Sequence, residues 1–228
     1  MELVMKSKPF RDAEREQTSI LAPLERAALR GLARRMPGWV NSDHLSVLGL
    51  VGMLGAGVCY AASKQNPLLL HLVNLFIFLN WFGDSLDGTL ARYRERQRPR
   101  YGFYVDHMVD SLGALALMGG LALSRYMHPY IAIGLLIAFL LLSIQSYLAT
   151  HALGEFRLAF WRFGPTELRI LLAIGNVALL FRAMVHSPWG VYRLFDVGGA
   201  IGLTGMMLML LVWTGQNTVR LYRIETTR

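Results

Sequence analysis

Apolar residues gather into six runs, roughly 44–63, 67–91, 102–124, 129–151, 166–186 and 196–218, with short polar stretches between them. A helix rising about 1.5 Å per residue needs about 20 residues to cross a hydrocarbon core of about 30 Å, so each run reads as one crossing. The pattern predicts an all-α integral membrane fold with six transmembrane helices. Ahead of them, Leu21, Leu24, Ala28, Leu32 and Met36 recur at three- and four-residue steps, with Arg26, Arg30 and Arg34 elsewhere. That spacing predicts an amphipathic helix over about 21–36, lying in the headgroup plane with its apolar side down. Pro37-Gly38 ends it, Trp39 marks the boundary, and Asn41-Ser42-Asp43 reads as an N-cap cluster for the first crossing. The expected organisation is a cytoplasmic N-terminal segment (1–41), a six-helix membrane domain (42–220) and a short cytoplasmic tail (221–228).

Composition agrees with that pattern. Of 228 residues, 54% are hydrophobic and only 17% charged, too little polar surface for a water-soluble globule. Nineteen of the twenty-three Lys and Arg residues fall on one side of the expected membrane, in 1–41, 92–101, the 157–169 region and after the sixth run. Only Lys64, Arg125, Arg182 and Arg193 fall on the other, so the positive-inside rule places both termini in the cytoplasm. The net charge of +8 borders membrane ends and no soluble domain is long enough to read nucleic acid, so anionic membrane lipids are the expected partner. The first 41 residues do not resemble a secretory leader, and the small size suits a bacterial inner membrane. Cys59 is the single cysteine, inside the first run, and reads as a packing residue.

Four carboxylates interrupt this apolar pattern. Asp84 and Asp87 are three residues apart, Asp106 and Asp110 four, so on helices each pair projects from one face. Taking Arg92 and Gly102 as the cytoplasmic ends of two antiparallel helices, Asp84 and Asp110 lie about 12 Å deep and Asp87 and Asp106 about 6 to 7 Å. Deep would face deep and shallow face shallow. The two helices supply no basic partner except His107, so the acids are expected to take cations from solution. Acid-only ligation points to hard divalent ions, Mg2+ or Mn2+, with two such ions able to share the site. Gly88 and Ala91 keep the first acidic face uncrowded, leaving room for a ligand or a neighbouring helix.

The run Asp84-Ser-Leu-Asp87-Gly88-Thr-Leu-Ala91-Arg92, followed by Gly102-Phe-Tyr-Val-Asp106-His-Met-Val-Asp110, resembles the signature of the CDP-alcohol phosphotransferase family, with every defining position filled. The resemblance implies a metal-dependent transferase of phospholipid synthesis. An acceptor hydroxyl would attack the alcohol-side phosphate of a CDP-alcohol, releasing CMP and forming a phosphodiester. By the same resemblance Asp84, Asp87, Asp106 and Asp110 are metal ligands, Asp110 doubles as general base, and Arg92 lies near the phosphates with Gly88, Ala91 and Gly102. Relatives often carry Pro-Asn-x-x-Thr near the nucleotide where this chain has Ser42-Asp43-His44-Leu45-Ser46, so Asp43 stands between a nucleotide contact and helix capping. Arg94, Arg96, Arg98 and Arg100 read as topological anchors. Homodimerisation is also implied, in keeping with the close-packing glycines Gly198, Gly199, Gly202 and Gly205.

The acceptor side is less sharply marked. Asp106-His107-x-x-Asp110-Ser111 leans toward the choline and ethanolamine phosphotransferase branch, with His107 either orienting an acceptor hydroxyl or forming an ordinary hydrogen bond. Ser111, Ser146, Thr150, Arg157 and Arg162 are acceptor-pocket candidates, and Arg169 either attracts a phosphorylated acceptor or anchors a loop. Glu167 could assist acceptor activation or simply answer the helix dipole, with Thr166 as cap. Donor and acceptor remain paired in two ways: CDP-diacylglycerol with a polar alcohol, or a CDP-headgroup with a lipid alcohol. The rival from another class is a small cation or proton transporter, since intramembrane acids commonly line ion paths. A path would continue to the far face, yet the outer halves of the second and third runs offer mainly His71 and Asn74. A catalytically silent scaffold of the same fold is the third reading.

Overall fold

The computed structural model describes residues 21–153, 164–188 and 190–226. Seven helices and one small hairpin follow in order: α1 (Ala22–Arg35), α2 (Ser42–Ala62), α3 (Leu69–Tyr93), α4 (Pro99–Leu123), α5 (Pro129–Leu153), α6 (Pro165–Phe181), β1 (Met184–Ser187), β2 (Gly190–Arg193) and α7 (Leu194–Thr226). Each of the six expected runs is a helix. Four of them, α2, α3, α5 and α7, are long and apolar enough to cross a membrane. Two acids dilute the apolar character of α4, and the 17 residues of α6 span only about 25 Å. The fifth run stops early because the chain turns at Arg182 into the antiparallel β1–β2 hairpin, which periodicity did not foretell. The last helix continues for 33 residues, through the stretch expected as a tail.

Helix α2 is the spine of the bundle. It packs along both α3 and α4, which scarcely touch one another. Glycine makes these approaches close: a Cβ on Gly83 would lie 2.4 Å from the Leu45 carbonyl oxygen, and one on Gly120 would lie 2.1 Å from that of Gly57. Neither position can carry a larger side chain without parting the helices. The sequence reading placed the close-packing glycines on α7 instead. There only Gly199 is tightly enclosed, against Ile131 and Met127, while Gly198 and Gly205 face open space.

The main core joins Ala56, Cys59 and Tyr60 of α2 to Val73 and Ile77 of α3, Leu117 and Leu121 of α4, and Leu179 and Phe195. A second cluster, Leu29, Ala33, Val40, Leu45, Leu86 and Leu90, seats α1 against α3. The face that α1 buries is Ala22, Leu29 and Ala33, rotated from the expected stripe, and Leu24 stays 72% exposed. Leu32 and Met36 border the second cluster. Elsewhere large apolar side chains such as Val58, Phe78, Ile174, Ile201 and Leu211 point outward. Outward apolar faces on helices of crossing length identify an integral membrane protein.

Candidate active site

The site lies where α3, α4 and α6 meet the end of α2. Asn41 begins α2 with a reciprocal cap: its side chain accepts from the His44 N–H at 3.0 Å, and its own N–H reaches the His44 ring. Asp43 is therefore not the cap. It pairs with Arg98, whose guanidinium also lies over the Tyr101 ring. Arg94 donates to the carbonyls of Met36, Pro37 and Val40, gripping the end of α1. Two of the four arginines read as topological anchors thus bind the protein itself.

One turn along α2, Ser46 Oγ donates to Asp87 Oδ2 at 2.7 Å, and the Gly88 N–H also donates to Asp87. Asp87 is buried, and the charges that act on it are those of Asp106 and Asp84. Three of the four acids therefore share one electrostatic neighbourhood, at the gap between α3 and α4. Asp106 is half-buried and Asp110 exposed, one turn further along α4, where its charge acts on Tyr147 of α5. Phe103, His107 and Tyr147 form an aromatic group, with the His107 ring 4.1 Å from Phe103 and 4.7 Å from Tyr147 between centroids. The His107 Nδ1–H donates to the Phe103 carbonyl, and Ser111 Oγ to that of His107.

Asp84 has the partner that its own helix pair lacks. Arg169 of α6 donates from Nη2 to Asp84 Oδ2 at 2.6 Å and from Nε to Asn80 Oδ1 at 2.8 Å. This corrects the expectation that cations could come only from solution: the counter-charge arrives from a helix outside the motif. Nor is the expected four-carboxylate cage closed. Among the described residues, no three His, Cys, Asp or Glu side chains converge tightly enough to hold an ion. Two causes are visible: Asp84 is turned onto Arg169, and α3 and α4 each pack on α2 instead of on each other. The donor type nevertheless fits a hard divalent ion, with carboxylate oxygens from two helices around one gap.

The small residues of α3 do leave space. The Arg92 side chain folds back into it: a Cβ on Gly88 would meet the guanidinium at 3.5 Å, and Arg92 Nη2 donates to Thr89. Ala91 is half-buried, and Gly102 has open space around its α-carbon. Ser146 is buried on α5 and accepts, through its carbonyl, from Thr150 Oγ1. Arg157 and Arg162 lie outside the described residues.

Glu167 begins α6 but its carboxylate is occupied. Oε2 accepts from the Gly164 N–H at 2.9 Å and Oε1 from the Leu21 N–H at 3.1 Å, so Gly164 holds the cap position assigned to Thr166. Thr166 instead donates to Glu25 of α1, at 2.7 Å. The same Glu25 oxygen accepts from Trp81 Nε1 at 2.8 Å and Ser85 Oγ at 3.2 Å. Glu25 therefore ties α1, α3 and α6 together beside Asp84.

A family model for CDP-alcohol phosphatidyltransferase matches residues 39–216, more than three quarters of the chain. The chain belongs to the CDP-alcohol phosphatidyltransferase family. Family members are transferases acting on a CDP-alcohol donor and an alcohol or lipid acceptor. In this CDP-alcohol phosphatidyltransferase family member, the sequence drew attention to the four aspartates but not to Ser46, Asn80 and Glu25, which bond to Asp87, Arg169 and the α1–α3–α6 junction. Ser46 is one position of the segment that departs from the relatives' pattern. Glu25 shares a helical face with Ala22 and Leu29, an acid on a buried face and so a legible signal.

Proposed function

We propose that this chain transfers a substituted phosphate group from a CDP-alcohol to a hydroxyl acceptor, releasing CMP, with divalent-metal dependence. Asp84, Asp87 and Asp106 would hold Mg2+ or Mn2+, with Asp110 completing the set on α4. The ion supplies charge neutralisation on the donor's phosphates. The observation that carries the reading is the shared neighbourhood of Asp84, Asp87 and Asp106, inside the span that the family model covers. Ser46 positions Asp87, and Arg92 reaches the face where a phosphate would lie. Asp110 takes the proton of the attacking hydroxyl, beside the His107 and Tyr147 rings. Glu167 serves by fixing the start of α6, because both carboxylate oxygens already accept backbone N–H groups.

The polypeptide crosses six times, with both termini and the 92–101 loop in the cytoplasm, and the exposed stripe of α1 rests on anionic headgroups. A homodimer in a bacterial inner membrane is the expected setting, and the Asp-His-x-x-Asp-Ser sequence favours a CDP-headgroup donor and a lipid alcohol acceptor. The transporter reading is weakened by the opposite end of the bundle. There Tyr60 donates to Asn176 at 2.7 Å, Asn176 to Asn74 at 2.7 Å, and Asn74 to the Ala173 carbonyl. These polar groups satisfy one another, and among the described residues no file of acids continues from them toward the far face.

The test incubates purified protein with Mg2+ and a panel of CDP-alcohols and acceptors, following CMP together with lipid product. Wild-type protein is expected to release CMP with one donor class, and Asp84→Asn to lose about a hundredfold or more of that rate. Normal turnover by Asp84→Asn would refute the metal assignment. Cation flux into vesicles, without CMP from any donor, would favour transport.

A further inference from the structure

Among the described residues, Arg169 of α6 brings a cationic side chain to the acidic site from outside the motif. Its Nη2 lies 2.6 Å from Asp84 Oδ2 and its Nε 2.8 Å from Asn80 Oδ1. Asp84 and Asn80 are four residues apart, one above the other on α3. Asn80 is itself fixed, being buried and donating from Nδ2 to the Gly49 carbonyl at 3.0 Å. The guanidinium therefore rests on two partners of different character, one charged and one neutral.

A guanidinium keeps its charge under all working conditions, and its planar fork binds in a set direction. The oxygen of Asp84 that accepts from it cannot offer the same lone pair to a metal ion, and two cations on one carboxylate repel. We propose that Arg169 is the resident counter-cation of Asp84, neutralising and aiming this carboxylate until a divalent ion arrives and displaces it. The Nε–Asn80 bond survives the exchange and acts as the pivot, so only the Nη2–Asp84 contact is given up. This rests on the reading of Asp84 as a metal ligand. It adds that this chain sets its own ion affinity below what the bare acids would give, and that Asp84 is charge-paired before loading.

The test measures Mn2+ binding to the purified full-length protein by electron paramagnetic resonance, with no substrate present. Arg169→Gln is expected to bind Mn2+ about tenfold more tightly than wild type, a typical size for coupling between two sites. Its melting temperature without metal should fall and recover more steeply on adding Mn2+. Arg92→Gln removes the same charge from the neighbourhood without touching Asp84, and should change Mn2+ affinity much less. Should Arg169→Gln not fold, Arg169→Lys keeps the charge without the two-pronged grip and is expected to give a smaller tightening. Unchanged or weaker Mn2+ binding by the Arg169 variant, or an equal gain from Arg92→Gln, would overturn the proposal. If wild type binds no Mn2+, or Asp84→Asn binds it as well as wild type, the metal reading itself falls. Weaker binding by Asp84→Asn with no gain from Arg169→Gln sinks the counter-cation alone.

Discussion

At the scale of single residues, the acids were legible because ionised groups in an apolar run need compensation, and their spacing put each pair on one helix face. Their partners were not, since Ser46 and Arg169 come from α2 and α6, and no local period connects those helices to the acids. The Ser46–Asp87 bond leads to one prediction. Its acceptor is a buried carboxyl oxygen, so Ser46→Ala should cost about 1 to 3 kcal/mol, read as a lower melting temperature of the metal-free protein. A melting temperature equal to wild type would show that this hydroxyl does not position Asp87. Glu25 offers a second. One of its oxygens accepts from Trp81, Ser85 and Thr166, so Glu25→Ala should expose Trp81 to water, shift its fluorescence to the red and destabilise the protein. Glu25→Gln, which keeps an acceptor oxygen, should recover much of the loss.

At the scale of elements, helix existence followed from hydrophobic run length, which is why every expected crossing appears as a helix. Partnership between helices did not follow. Neighbours in sequence joined by a short loop are expected to pack, yet α3 and α4 both lean on α2 and make few contacts with each other. The decisive signal was glycine on α2 and on the faces meeting it, whereas the conspicuous glycine group on α7 proved mostly open. A substitution can separate the two. Gly120→Val should part α2 from α4 and lower stability by about 3 kcal/mol, while Gly205→Val, with open space around its α-carbon, should leave the melting temperature nearly unchanged in monomeric protein. The face by which α1 docks on α3 was not foreseen for a related reason: two adjoining stripes are apolar, and the one bearing Glu25 meets α3. The stripe left exposed is available to the membrane.

At the scale of the whole molecule, the family assignment and the outward apolar faces agree on a membrane-embedded transferase, and the charge asymmetry of the loops predicts an orientation that labelling tests. In a Cys59→Ser background, Arg96→Cys should react with an impermeant thiol reagent only from the cytoplasmic side, and Lys64→Cys only from the opposite side. Labelling of both from one side would contradict six crossings. The central claim is that Asp84, Asp87 and Asp106 serve divalent ions between α3 and α4. Anomalous diffraction from crystals grown with Mn2+ and a CDP-alcohol tests it most directly. The account predicts a manganese peak bounded by carboxylates of both helices, with Arg169 withdrawn from Asp84; manganese bound elsewhere, with Asp84 still paired to Arg169, would contradict it.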